Sequence, residues 1–220
     1  MSAPIVQSLE PITLIGGGDI GPGDLDLALQ RAPILVAADG GAQTALLAGH
    51  SPVAVIGDLD SLTPAARSRI PPERLFPIRE QNSTDFDKAL RRISSPLVLG
   101  VGFLGARVDH QLAALNTLVK RADRACILIG PSELIFHVPP LLVVELSAGD
   151  VVSLFPMAPI RGCSQGLEWP IDGLRLAPDT RIGTSNRALG TVRLEMSAPG
   201  LLMIAPRAAL DAVMRALGPV

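Results

Sequence analysis

Tyrosine is absent from this chain, tryptophan occurs once, cysteine twice, and charged residues make up only 18% of 220 positions. Each scarcity excludes something. Cys126 and Cys163 lie far apart and match neither metal-ligand nor disulfide spacing, so both are expected to be small buried hydrophobes. The three histidines, His50, His110 and His137, show no HxH or HxxxH spacing, which removes a histidine-based zinc site. With 19 basic against 21 acidic residues and a net charge of −2, the basic footprint of a nucleic-acid binder is missing. A membrane-spanning helix needs about 20 predominantly apolar residues. The uncharged stretch between Asp39 and Asp58 contains Gln, Thr, His, Ser, Pro and four glycines, so it does not qualify. The opening "MSAPIVQSLEP" has no basic segment followed by an apolar one. A cytoplasmic protein without nucleic-acid or membrane partners is therefore expected.

What is present is a dense Ala/Leu/Val texture organised in two styles. Up to about residue 130, the apolar runs "PITLIGGG", "PILVAADGG", "PVAVIGDLDS", "PLVLGVGF" and "ACILIG" alternate with "GDLDLALQRA", "AQTALLAGH", "TDFDKALRRI" and "DHQLAALNTLVKRA", which fit helices. That alternation predicts an α/β domain with a mainly parallel sheet, whose ligands bind at the carboxyl ends of the strands. After "ELIFHVPP", short Val/Leu runs recur between turn signals such as "SAGD", "APDT" and "SAPG", as in a β-sandwich. "TVRLEM" alternates as a half-buried strand should, and "RAALDAVMRALG" returns to a helical pattern that ends at Gly218. Pro139 and Pro140 interrupt strand pairing, which puts the boundary near 138, with residues 1–138 as the α/β domain and 139–220 as the sandwich with its helical tail.

The chemistry concentrates in acids. In "AVIGDLDSLTP", Asp58 and Asp60 stand two apart after a hydrophobic strand; an extended backbone would point both to one side, where they repel unless a cation intervenes. In "TDFDKALRRI", Phe86, Ala89, Leu90 and Ile93 define the buried face and Asp85 lies off it. Asp85 and Asp87 could simply offset the helix dipole behind a Thr84 cap, or Asp85 could join Asp58 and Asp60 around a hard cation such as Mg²⁺.

"GVGFLGARVDHQLAALNTL" is a glycine-rich turn opening into a helix with a Val108, Leu112, Leu115, Val119 stripe. Its amides and the forked donor Arg107 suit phosphate oxygens, while Asp109 could be no more than a helix cap. A Walker-type GxxxxGK[ST] loop is absent, and "GGGDIG" does not fit the dinucleotide pattern GxGxxG.

Taken in order, "AADGGA", "GDLDS", "STDFDKAL", "GARVDH" and "TSN" resemble the motif series of the thiamine pyrophosphokinases, over roughly residues 12–204. The resemblance implies an N-terminal α/β domain and a C-terminal β-sandwich. It also implies Mg²⁺-dependent transfer of a pyrophosphoryl group from ATP to thiamine, and a homodimer with active sites at the subunit interface. Carried over by residue, it implies Asp58, Asp60 and Asp85 as catalytic and metal-binding groups, Asp39, Gly40, Gln81, Arg107 and Asp109 on the nucleotide side, and Ser185 and Asn186 in the "SN" motif. Ala106 departs from the glycine usual in the family's "GGR", and the C-terminal helix extends past the usual end. Trp169, in "SQGLEWPIDGL", reads as a core residue by frequency alone, yet thiamine is an aromatic cation and the family's "GLxW" segment points to stacking on it. Two other readings compete: a related pyrophosphokinase for another heterocyclic alcohol such as a hydroxymethylpterin, and a non-catalytic thiamine or nucleotide sensor.

Overall fold

A computed structural model describes residues 3–105 and 107–218; Ala106, the departure from "GGR", lies outside them. By internal packing the chain divides into two compact units, Met1–Thr117 and Leu118–Val220.

The first unit is built from β1 (Val6–Gln7), β2 (Ile12–Ile15), α1 (Asp24–Leu29), β3 (Ile34–Ala38), α2 (Gly41–Leu47), β4 (Ala54–Gly57), α3 (Pro64–Ser68), β5 (Leu75–Pro77), α4 (Asp85–Leu90), β6 (Ile93–Ser94), β7 (Val98–Val101) and most of α5 (Val108–Lys120). β2 pairs parallel with β7, β3 with β4 and β4 with β5, and β3 lies beside β2. β2, β4 and β7 are buried at every position, as continuous apolar runs in a two-sided parallel sheet must be. Short β1 and β6 form a separate parallel pair. Thr63 caps α3, with Pro64 in its first turn, and Thr84 caps α4 by accepting from the Asp87 amide at 3.3 Å.

The second unit holds β8 (Cys126–Ile129), β9 (Glu133–His137), β10 (Leu141–Glu145), β11 (Val151–Pro156), β12 (Gly162–Leu167), β13 (Gly183–Met196), β14 (Leu201–Pro206) and α6 (Leu210–Leu217). Every pairing among these strands is antiparallel. One layer runs β8, β9, β14, β11 and the first part of β13. The other joins β10 and β12 to β13, mainly through its second part. The 14-residue β13 thus belongs to both layers, passing Gly190 at φ 135° between them. Its outer half alternates as "TVRLEM" requires, with Val192, Leu194 and Met196 buried. α6 packs on β10 through buried Leu210 and Val213 and closes with Gly218 as its C-cap. Among the described residues, no helix is long and apolar enough to cross a membrane.

Two expectations need correction. Cys126 is buried, but Cys163 is exposed: it points outward from β12, whose residues alternate, and shares a hydrogen bond with Asp172. On α5 the buried positions are Ala114, Thr117 and Leu118, while Val108 and Leu112 stay exposed. The helix turns Ala114, Thr117 and Leu118 inward and leaves the first half of the apolar stripe outside.

Candidate active site

Four carboxylates of the first unit gather at the carboxyl ends of β3 and β4 and the start of α4. Asp39 follows β3 in a left-handed conformation (φ 42°), its amide bonded to the Ile56 carbonyl at 3.0 Å, and turns the chain into α2. β4 stops at Gly57, so Asp58 and Asp60 do not converge by strand alternation as the sequence suggested. They converge because Leu59 between them is left-handed (φ 65°) with its side chain buried. For a non-glycine residue that conformation costs about 1–2 kcal/mol, and burial of the leucine offsets it. Oxygens of Asp39, Asp58 and Asp60 all lie within 4.8 Å of one another.

Gly57 makes room for this. A Cβ there would stand 2.8 Å from the Asp39 Cβ and 3.1 Å from Asp85 Oδ1, so only hydrogen fits between the two acids. Asp39 is 5% exposed and its Oδ1 has no hydrogen-bond partner. Burial raises its carboxyl above the ordinary 3.8; a Ser61 hydrogen bond works against this, and the negative charges of Asp85 and Asp58 add to it. An orphaned buried carboxylate oxygen facing two other acids suits a divalent cation, and the all-oxygen donor set suits Mg²⁺.

Asp85 sits in the first turn of α4 and belongs to a different contact. One turn on, Lys88 is buried to 1% exposure, and its Nζ lies 3.0 Å from Asp58 Oδ2 and 2.9 Å from Asp85 Oδ1. Burial works against the charged forms of both Asp58 and Lys88, but their mutual hydrogen bonds and charges prevail, so the Asp58 carboxyl falls below its ordinary range and the Lys88 ammonium rises above its own. Lys88 went unnoticed in the sequence, although its place three residues after Asp85 on a helix was a signal.

Beside the acids opens a cavity of about 570 Å³, lined among others by Gly16–Gly18, Asp39, Gly40, Gln43, Thr44, Ser61, Asp85, Gly102, Phe103, Arg107 and His110. Its floor is two glycine turns in direct contact: the Gly18 amide bonds the Gly102 carbonyl at 2.9 Å, and a Cβ on Gly16 or Gly18 would meet that oxygen at 2.6 or 2.7 Å. Phe86 and Phe103 stack at 4.4 Å and stiffen the wall. Arg107 is exposed at the rim in a two-point pair with Asp109 (Nη2–Oδ2 2.6 Å, Nε–Oδ1 3.1 Å), which holds the Asp109 carboxyl below its ordinary range. Asp109 lies inside α5, not at its cap, and does not line the cavity. Gln81 is exposed on the loop before α4 and does not line it either. That loop is fastened by Glu80, which accepts from Ser83 Oγ, the Asn82 amide at 2.9 Å and Arg91 Nη2 at 2.6 Å.

In the second unit, Trp169 is 52% exposed, which excludes the core reading. Buried Asn186 pairs with its backbone in both directions, accepting from the Trp169 amide at 3.2 Å and donating to its carbonyl at 2.7 Å. Ser185 is exposed and left-handed (φ 59°), its amide bonded to Ser153 Oγ at 3.0 Å. Among the described residues, the three non-glycine positions with positive φ are Asp39, Leu59 and Ser185, each within a sequence motif.

Clustered acids and a glycine-floored cavity at the carboxyl ends of parallel strands are features of an α/β enzyme that handles a phosphorylated ligand. Residues 25–129 match the family model described as "Thiamin pyrophosphokinase, catalytic domain". The chain is 27% identical over 194 residues to "Thiamine pyrophosphokinase 1" of Oryza sativa subsp. japonica, covering 73% of this chain and 74% of the relative. It is 28% identical over 190 residues to "Thiamine pyrophosphokinase 3" of the same plant, covering 71% of each. In fold it is similar to the thiamin pyrophosphokinase of Candida albicans (TM-score 0.75, 15% identity, 94% of this chain and 95% of that one) and the thiamine pyrophosphokinase of Bacillus subtilis (TM-score 0.72, 23% identity, 90% and 98%). Over residues 25–129 the chain is similar to the catalytic domain of the thiamine pyrophosphokinases, and its fold is similar to theirs.

Proposed function

We propose that the protein transfers the pyrophosphoryl group of ATP to the hydroxyethyl group of thiamine, giving thiamine diphosphate and AMP. The observation that carries the reading is the convergence of Asp39, Asp58 and Asp60 beside the glycine-floored cavity. The thiamine hydroxyl oxygen forms a bond to the β-phosphorus, the bond from that phosphorus to the bridging oxygen breaks, AMP leaves with that oxygen, and the hydroxyl proton is released. Mg²⁺ held by Asp58 and Asp60, with Asp85 and Asp39 beside them, would supply charge neutralisation and orientation of the phosphates. The chain's own part is positioning. Left-handed Leu59 aims two carboxylates into one volume, the glycine turns let backbone approach the nucleotide, and Arg107 offers a fork to phosphate oxygens. Gly40, Gln81 and Asp109 are proposed on the nucleotide side.

Thiamine is proposed to bind the sandwich part, 139–220, with the exposed Trp169 indole stacked on the cationic ligand, while 1–138 holds nucleotide and metal. Ser185 and Asn186 support that surface. A homodimer with active sites shared between subunits, working in the cytoplasm where ATP is supplied, completes the proposal. Incubating purified protein with ATP, Mg²⁺ and a panel of alcohols including thiamine and a hydroxymethylpterin, with products read by mass spectrometry, tests it. Thiamine diphosphate and AMP are expected. ADP with thiamine monophosphate, turnover of the pterin alone, or no turnover would overturn it.

A further inference from the structure

Lys88 is among the largest fully buried side chains of the described residues, and its ammonium meets two carboxylates from separate elements. Asp58 comes from the loop after β4 and Asp85 from one turn earlier on α4. We propose that Lys88 is a resident counter-cation of the acid cluster, a positioning residue that holds Asp58 and Asp85 in place before any divalent ion arrives and tempers how strongly the cluster binds one. The charge inventory leads there. Asp39, Asp58, Asp60 and Asp85 carry four formal negative charges in one small volume, and Asp39 and Asp85 are so close that no Cβ fits at Gly57. Unbalanced, they would push the loop and the helix apart; one ammonium bound to the middle pair removes part of that repulsion. It does so while occupying only Oδ2 of Asp58 and Oδ1 of Asp85, and Asp58 Oδ1 stays on the side of Asp60, whose amide lies 3.5 Å away. A salt bridge whose only purpose was stability would not need two acids that face a third and a fourth.

The inference rests on the proposed function only in taking these acids as the divalent ion's ligands. Its test uses neither ATP nor thiamine, so its failure is separable from failure of the product assay. Thermal unfolding and isothermal titration with Mg²⁺ alone would be compared for the wild type, Lys88→Met and Lys88→Arg. In chelator, Lys88→Met should melt about 6–20 °C lower, or not fold, because it leaves two partly buried acids facing each other across a buried apolar side chain. Mg²⁺ should restore most of that loss and bind the variant about 10-fold more tightly than the wild type at low salt, since one positive charge is gone from the site. Lys88→Arg, which keeps the charge, should behave as the wild type does toward Mg²⁺. A Lys88→Met loss of equal size with and without Mg²⁺, including failure to fold at any Mg²⁺ concentration, or unaltered Mg²⁺ affinity in a folded variant, would reduce Lys88 to an ordinary buried ion pair and overturn the proposal.

Discussion

Asp39 shows how a single carboxylate reports its surroundings. Its folded-state value lies above 3.8, chiefly through burial, so the folded protein holds that proton more tightly than the unfolded chain does. Its contribution to stability is therefore fully present below 3.8 and is lost as pH rises through the folded value. Asp39→Asn should melt higher than the wild type at neutral pH, with the difference vanishing below 3.8; a pH series of melting curves checks this. For chemistry the sign reverses: Asp58→Asn or Asp85→Asn should lower kcat by at least about 10²-fold while the circular dichroism spectrum stays native, because each removes charge from the proposed metal site. Near-normal turnover at saturating Mg²⁺ would leave these acids structural. Trp169→Ala should raise KM for thiamine about 2–30-fold, the loss expected of an aromatic–cation contact, with little change in kcat. Asn186→Ala should do the same through Trp169, because its amide both accepts from and donates to that residue's backbone. At this scale much was legible: Asp58, Asp60 and Asp85 stood out by spacing and motif order. Lys88 did not, because a lysine in a helix ordinarily extends its ammonium into water. Its burial depends on a carboxylate that arrives from thirty residues earlier.

Among elements, the five apolar runs of the first 130 residues became strands and the four helical patterns became helices, since buried parallel strands and amphipathic helices write their periods into sequence. What did not read through was the geometry between them. The stretch after β4 looked like a continuing strand, yet the acids meet only because Leu59 is left-handed, a choice made by burial of its side chain and invisible to alternation. α5 likewise turned its bulkier stripe partly outward, as packing overrode the simplest periodic reading. The junction makes a sharp prediction for Gly57→Ala. The added methyl would fall 2.8 Å from the Asp39 Cβ, so Asp39 and Asp85 must separate. A stability loss of about 1–3 kcal/mol is expected together with a loss of kcat out of proportion to it, measured by denaturant unfolding and steady-state kinetics on the same preparation.

For the whole molecule, the residues proposed to act together fall in two compact units, the acids in one and Trp169 in the other. If the proposed dimer shares its sites, an Asp85→Asn chain and a Trp169→Ala chain are defective in different halves of each site. Dissociated, mixed and reassociated, about half of the dimers would be mixed, each with one intact site, and activity at low thiamine should approach roughly a quarter of wild type. Only the average of the parents, with mixed dimers confirmed by native mass spectrometry, would show that each chain works alone.

β13 has a consequence for the timing of fluctuations. It is the strand both layers of the second unit share, and it carries Ser185 and Asn186 near one end and the alternating "TVRLEM" face at the other. Opening the "TSN" segment far enough to expose its amides means peeling the strand that closes both layers, so partial opening should be suppressed there. In native-state hydrogen exchange, the Ala188 amide, which bonds the Asp150 carbonyl beside that segment, should exchange at the same slow rate as the paired amides of the "TVRLEM" half. The surface that holds Trp169 would then keep its shape for as long as its unit remains folded.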